Sequence, residues 1–336
     1  MSCLSTKKQS SVTIVGALFI ALAPGEQTSA TYSAEPLFDT VNTYQTTITT
    51  NGDPADIYFP IPSNSNTNTN QFPIALMLQG ALVDKADYAN FASTVASYGF
   101  VVIVPNHERT VTNPRTGEPV TGFIAEQQQV HDVLSYMKQE NTNPDSPIAG
   151  IVNTNKLGLL GHSFGGFVGL AVIQDICVPR VCAGNFTQPP EVMAGIFYGT
   201  NFKDPPETGS FPPINNQMIP TALIAGSQDT IADLVEITAT YNQIQDPPKA
   251  LVIVKGANHY GITNEDNPVR DPVRPLLDQD VATETIARWS ALFLRSHLLN
   301  DTAAFDYLYN SGDDQDENVI VIHPINPLSE SALPSN

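Results

Sequence analysis

The chain has 336 residues, 41% of them hydrophobic, which is ample for one large core and too much for a disordered or fibrous protein. Fifteen Lys and Arg against 34 Asp and Glu give a net charge of −19, so phosphate-bearing partners such as nucleic acid and anionic membrane surfaces are poor candidates. Charged residues make up only 15%, below the ~25% of an average globular chain, and Asn, Thr, Ser, Gln and Pro take their place, a mix common in exported proteins.

At the start, Lys7 and Lys8 precede an apolar-to-small run at 12–23, with further small residues at Thr28, Ser29 and Ala30. At 1.5 Å per residue the run covers about 18 Å, short of the ~30 Å hydrocarbon core of a bilayer. Its length is that of a signal-peptide h-region, so residues 1–30 are expected to be a signal peptide of a secreted or periplasmic protein with no stable membrane span after removal. The competing reading is a frayed N-terminal extension. Export would leave Cys177 and Cys182, spaced C-x4-C, able to staple a loop in an oxidising compartment or to stand as two free thiols. With no His or further Cys nearby, they make a weak metal site.

From residue 43 the pattern alternates strand and helix. Residues 44–50 and 55–59, around Asn51-Gly52-Asp53-Pro54, are expected to form a β-hairpin, followed by a polar loop at 63–71. The continuous apolar runs at 73–78, 100–104 and 157–160 have the character of strands covered on both faces. Tyr88, Phe91, Ala92 and Val95 recur at helical spacing up to Gly99, and Val130, Val133, Leu134 and Met137 mark a second helix ending before Asn143-Pro144. After the 157–160 strand come Gly161-His162-Ser163-Phe164-Gly165-Gly166 and a helix at 167–176. Strands at 192–198, 221–225 and 251–254 follow, with helices near 232–242 and 279–299, the latter aligning Ile286, Trp289 and Phe293 on one face. This rhythm predicts a mostly parallel, doubly wound α/β sheet with helices on both faces and an antiparallel edge hairpin. Residues 31–310 are expected to form a single catalytic domain. An acidic C-terminal tail at 311–336 carries Asp313, Asp314, Asp316 and Glu317 and misses the spacing of a calcium loop, so a solvated face is the expectation.

GHSFGG at 161–166 matches G-x-S-x-G between an apolar strand and a helix. That context predicts a tight strand-to-helix turn holding Ser163 in a strained conformation with its oxygen exposed, the arrangement of a nucleophile elbow. Gly161 and Gly165 remove side chains that would collide across the turn, Gly166 lets the helix approach the sheet, and the helix N-terminus favours negative charge. A serine hydroxyl needs a base. Asp229, just past the 221–225 strand, and His259, just past the 251–254 strand, follow in the order Ser, acid, His and project from the same carboxyl edge of the sheet. Asp229 would hold the imidazole and His259 would shuttle the proton.

Asp204, also after a strand but in a Pro-rich loop, is the rival acid; Asp233 falls inside the following helix. Among the other histidines, His107 could line the pocket, while His131 and His297 lie on helices and His323 in the tail. Two N–H donors are needed for a tetrahedral intermediate, and the backbone N–H groups of Phe164 and Ala81 are the expected pair. Gln79, Leu82 and His162 flank them and are the candidate substrate contacts, with a structural role as the alternative for His162. No metal or other cofactor is implied.

The chain resembles the α/β-hydrolase superfamily, in the branch containing chlorophyllases, plasma-type platelet-activating-factor acetylhydrolases and bacterial polyester hydrolases. FPIALMLQG at 72–80, ASYGFVVIVPNHE at 96–108, LGLLGHSFGG at 157–166, PTALIAGSQDT at 220–230 and VIVKGANHYG at 252–261 run in that family's order. The resemblance implies an α/β-hydrolase fold, a monomer, a Ser163–His259–Asp229 triad and a small-molecule or lipid-like ester substrate. Two departures matter: many relatives have His-Gly where this chain has Gln79-Gly80, and polyester hydrolases carry an aromatic residue where it has Ala81. The single tryptophan, Trp289, lies on the last long helix, which argues against an aromatic polymer clamp. The chlorophyllase-like branch, cleaving an ester of a bulky acid with a long apolar alcohol (chlorophyll to chlorophyllide and phytol), fits best. A lipase, cutinase, polyester hydrolase or phospholipid acetylhydrolase is the alternative, and an inactive hydrolase fold used for binding is the alternative of another class. A nucleotide-binding Rossmann fold would need a G-x-G-x-x-G turn after its first parallel strand, which the chain lacks.

Overall fold

A computed structural model of the chain describes residues 34–62, 71–112, 116–182, 184–204 and 209–324. The leader expected at 1–30 lies outside these residues, as do residues 63–70 of the polar loop and the chain end from 325. The elements run β1 (Val41–Thr47), β2 (Pro54–Pro60), β3 (Phe72–Leu78), α1 (Ala89–Ser97), β4 (Val101–Pro105), β5 (Glu108–Thr112), β6 (Pro119–Phe123) and α2 (Gln129–Thr142). They continue with β7 (Val152–His162), α3 (Phe164–Ile173), β8 (Val192–Tyr198), β9 (Thr221–Gly226), α4 (Leu234–Gln243), β10 (Lys249–Val254), α5 (Gln279–Leu298), α6 (Thr302–Asp306), α7 (Gly312–Gln315) and β11 (Val319–Ile322).

Nine strands form one sheet in the order β1-β2-β4-β3-β7-β8-β9-β10-β11. The strands from β4 to β10 in that order pair in parallel, and β1, β2 and β11 add antiparallel edges. The central strands are apolar throughout because side chains alternate between two covered faces. Along β3, Ala75 and Met77 enter the core beneath α1 and α5, while Ile74, Leu76 and Leu78 enter the core beneath α2, α3 and α4. Consecutive parallel strands then all end at one edge, so the turns after β3, β7, β8, β9 and β10 gather on the same side of the molecule.

Three local differences from the expected pattern have physical reasons. The edge hairpin turns earlier than predicted because Ile48, fully buried, folds inward, with its N–H donating to the Asp53 carbonyl (2.8 Å) and its carbonyl accepting from the Gly52 N–H (2.7 Å). Strands β5 and β6 form a separate antiparallel ribbon whose residues are exposed or half-buried, so no apolar run announces it. The segment read as an acidic tail partly joins the domain, since β11 extends the sheet on β10. There Asp316 is buried and accepts from the Trp289 indole N–H (2.8 Å) and Arg288 (3.0 Å), so one acid of the cluster serves the core. Cys177 and Cys182 are joined in a disulfide after α3. Among the described residues no helix is long and apolar enough to cross a membrane, and no cluster of three or more His, Cys, Asp or Glu could hold a metal.

Candidate active site

Strand β7 ends at His162, α3 begins at Phe164, and Ser163 between them has φ 53° and ψ −120°. A non-glycine residue at positive φ is strained, and here the surroundings hold it: the Ser163 N–H donates to the Tyr198 carbonyl at the end of β8 (2.9 Å). The helix behind it packs onto the end of β3 so closely that a Cβ on Gly165 would lie 2.0 Å from the Leu78 carbonyl oxygen and 2.6 Å from that of Gln79. Only glycine permits this approach, which sets the first turn of α3 against the loop after β3.

Asp229 sits in the turn after β9 with its side chain buried. Its Oδ1 accepts from the Ile231 and Ala232 N–H groups, each at 2.8 Å, and its Oδ2 meets His259 Nδ1 at 2.8 Å. An ionised carboxylate only accepts, so Nδ1 carries the hydrogen and Nε2 presents its lone pair. His259 is 2% exposed. Its Nε2 has no hydrogen-bond partner among the described residues and is not sealed from solvent. Gly199, with φ 57°, brings the end of β8 against this pair, where a Cβ would lie 3.1 Å from both Asp229 Oδ2 and His259 Nδ1. The structure thus joins Asp229 to His259 directly. Ser163 lies at the end of β7, with β8 between it and the strand that carries Asp229, and its hydroxyl makes no hydrogen bond to the imidazole, a contact that in many enzymes forms only around substrate.

The loop after β3 carries the other expected donors. The Gly80 N–H is taken by the Tyr88 hydroxyl (2.9 Å) and the Leu82 N–H by the Phe123 carbonyl (2.7 Å). The Ala81 N–H between them has no acceptor among the described residues. The Phe164 N–H, first in α3, lacks an intrahelical acceptor for the same reason that every helix start does. Both expected oxyanion donors are therefore unspent.

Two expected substrate contacts need correction. His162 is fully buried: its Nε2–H donates to the His259 carbonyl (3.0 Å) and its Nδ1 accepts from the Tyr88 hydroxyl (2.9 Å). Burial above all, and repulsion from His259 whenever that ring carries a second proton, hold His162 well below the ordinary imidazole range, so it stays neutral. Its ring centre lies 4.8 Å from that of His259, so it packs inside the core against that ring rather than facing the cleft. Gln79 is also fully buried. With its amide turned to satisfy both neighbours, it donates to the Pro105 carbonyl (3.1 Å) and accepts from the His107 N–H (2.8 Å). Leu82, 50% exposed at φ 60°, does stand on the rim.

The rivals are placed elsewhere. Asp204 is exposed and its N–H bridges to the Ser210 carbonyl (3.0 Å); Asp233 caps α4 through the Glu236 N–H (2.8 Å). His107 is clasped by Asp53 (2.8 Å) and Glu126 (3.3 Å), His131 faces the Thr187 carbonyl (2.8 Å), and His297 meets the Tyr309 hydroxyl (3.0 Å). His323 faces the Pro324 carbonyl (3.2 Å) and packs edge-on against the Tyr309 ring, with centroids 5.7 Å apart.

Sequence reasoning missed Asp271, which is fully buried and accepts from the His259 N–H through Oδ2 (3.0 Å) and from the Thr230 hydroxyl through Oδ1 (2.6 Å). It also missed Tyr198, whose hydroxyl donates to the Asn258 carbonyl and is pushed far above its usual range by burial and then by Asp229 and Asp271. No motif flags either residue. A cleft of about 180 Å³ opens beside Ser163, walled by Phe164, Phe167 and Ile231 and edged by Thr200 and Lys203. A larger hollow of about 590 Å³ lies at the amino ends of β3 and β7, away from these groups, and holds no nucleophile–base pair.

Residues 37–180 match the family model described as Chlorophyllase, a stretch that includes the β3 loop and the Ser163 turn and stops before Asp229 and His259. A search of the curated proteins finds no match. With the sheet order and its antiparallel edge hairpin, the family match supports placing the chain in the chlorophyllase-like branch of the α/β-hydrolases.

Proposed function

We propose that the protein is a serine carboxylic-ester hydrolase acting through an acyl-enzyme. The observation that carries this reading is the buried Asp229–His259 pair at 2.8 Å, with Nε2 left unpaired at the sheet edge that also bears the strained Ser163. Ser163 Oγ attacks the ester carbonyl as its proton passes to His259 Nε2, and Asp229 stabilises the imidazolium. The carbonyl oxygen, now negative, is met by the Ala81 and Phe164 N–H groups. Collapse expels the alcohol, which takes the proton from Nε2. Water, deprotonated by the same nitrogen, then releases the acid and restores Ser163.

The family match favours a chlorophyll-type ester, a bulky acid joined to a long apolar alcohol. The cleft adds a constraint. Its 180 Å³, walled by Phe164, Phe167 and Ile231, suit a slim chain or a short acyl group better than a fused ring system, which would rest against the rim. A short-acyl esterase is the second reading, favoured by this volume. A panel of esters with acid and alcohol varied separately decides between them: chlorophyllide release from chlorophyll supports the first, and turnover confined to short p-nitrophenyl esters supports the second. No ester turnover by the folded protein would refute both. The Cys177–Cys182 disulfide supports a site of action in an oxidising compartment, in line with the expected export.

A further inference from the structure

One turn touches three of the loops that carry the candidate machinery, those of Ala81, Asp229 and His259. The Arg270 and Asp271 N–H groups both donate to the Asn267 carbonyl (3.1 and 2.9 Å), so the two side chains leave a single tight bend. Arg270 Nη1 donates to the Ala81 carbonyl (2.8 Å), and its guanidinium lies 5.8 Å from the Tyr260 ring centre. Asp271 holds the His259 N–H and the hydroxyl of Thr230, the residue after Asp229. Nearby, Asn264 fastens the same loop to the stretch beyond Ala81: its N–H donates to the Asp87 carbonyl (2.7 Å) and its amide to the Ala86 carbonyl (2.8 Å).

The bonds around Ala81 determine where its N–H points. In the peptide joining Ala81 to Leu82, Arg270 holds the carbonyl and Phe123 holds the N–H. In the preceding peptide, the Gly80 carbonyl accepts from the Val83 N–H (3.2 Å), and a trans peptide directs the Ala81 N–H the opposite way. Removing the Arg270 bond leaves the first of these peptides held only through the Phe123 bond, and because the two peptides share the Ala81 Cα, a shift of the first displaces the Ala81 donor in the second.

We propose that Arg270 and Asp271 are a pair of positioning residues: Arg270 aims the Ala81 N–H, and Asp271 anchors His259 and the Asp229 turn. The separation between oxyanion donor and base is then set by one bend. This rests on the ester-hydrolase reading. An oxyanion donor acts on charge present in the transition state and absent from the bound ester, so its misalignment lowers kcat and leaves KM in place.

The test is hydrolysis of a short p-nitrophenyl ester by the full chain and by Arg270→Ala, Arg270→Lys and Asp271→Asn, with thermal midpoints measured in parallel. Arg270→Ala is expected to lose about tenfold in kcat, a fraction of the ~10²–10³ lost with a whole donor, with KM within about twofold. Millimolar guanidinium chloride restores part of that rate while sodium chloride at the same concentration does not, and Arg270→Lys falls between. Asp271→Asn lowers kcat without guanidinium rescue. Since Arg270 is exposed, its replacement leaves the fold intact. An unchanged kcat in folded Arg270→Ala, a loss confined to KM, or a loss that guanidinium does not relieve overturns the proposal while leaving the ester-hydrolase reading standing. A folded wild type that neither hydrolyses the ester nor is phosphonylated at Ser163 removes that reading and this proposal with it.

Discussion

Replacing Asp229 by Asn separates the orienting role of the carboxylate from its contribution to the fold. In the structure Oδ1 accepts two backbone N–H bonds, from Ile231 and Ala232, and Oδ2 meets His259 Nδ1, all at 2.8 Å. An Asn side chain keeps its oxygen toward the two N–H donors, because the reverse orientation would set an NH2 group against them. The amide nitrogen then faces Nδ1 and donates to it. His259 is driven to the tautomer with hydrogen on Nε2, which can no longer take the Ser163 proton. The expected loss is about 10⁴-fold in kcat, or ~5.4 kcal/mol of barrier, with KM and the thermal midpoint nearly unchanged. Asp229→Ala should be inactive as well, yet it leaves three donors unpaired, and the two buried ones, the Ala232 N–H and His259 Nδ1–H, cost about 1–3 kcal/mol each, so its midpoint falls clearly. Steady-state hydrolysis of a p-nitrophenyl ester and thermal unfolding measure both quantities. Retention of more than a tenth of wild-type kcat in folded Asp229→Asn would refute the role given to this carboxylate.

Two further predictions concern the scaffold. Gly165→Ala puts a Cβ 2.0 Å from one backbone oxygen and 2.6 Å from another, neither of which can swing aside, so the first turn of α3 must move. Soluble yield or, in whatever folds, kcat should fall by at least about 100-fold; full activity would contradict the close packing of α3 on β3. At His107, burial opposes the charged form, but the hydrogen bonds and charges of Asp53 and Glu126 outweigh it and raise the imidazole from 6.5 to about 9. A raised folded value stabilises fully below the unfolded value and is lost as pH climbs through the folded one, so the clasp weakens between about pH 6.5 and 9. The thermal midpoint should decline across that window, and His107→Gln should flatten the decline; the same slope in the variant would assign the pH dependence to other groups.

What the sequence made legible was chemistry set by neighbours along the chain. The Ser163 elbow needs glycines within two residues of it, and Asp229 and His259 each follow a short apolar strand, so all three candidates could be found by reading along the chain. Ala81 was legible because Gly80 follows the end of β3. The contacts that set their geometry join distant segments: the Arg270–Ala81 bond spans 189 positions, and Asp271 lies in a Pro-containing loop that carries no motif. His162 and Gln79 misled for the same reason. A polar side chain beside a nucleophile can face the substrate or the core, and the choice was made by Tyr88 and the end of β4, neither of which local pattern ties to the site. The β5–β6 ribbon, lacking a buried face, left no apolar trace at all.

The central claim is that Ser163 is a nucleophile activated at this edge of the sheet. Treating the folded protein with a fluorophosphonate and locating the adduct by mass spectrometry tests it most directly. The account predicts a single adduct on Ser163, absent from Ser163→Ala; a folded wild type that takes no label, or a Ser163→Ala variant labelled as well as wild type, would contradict it.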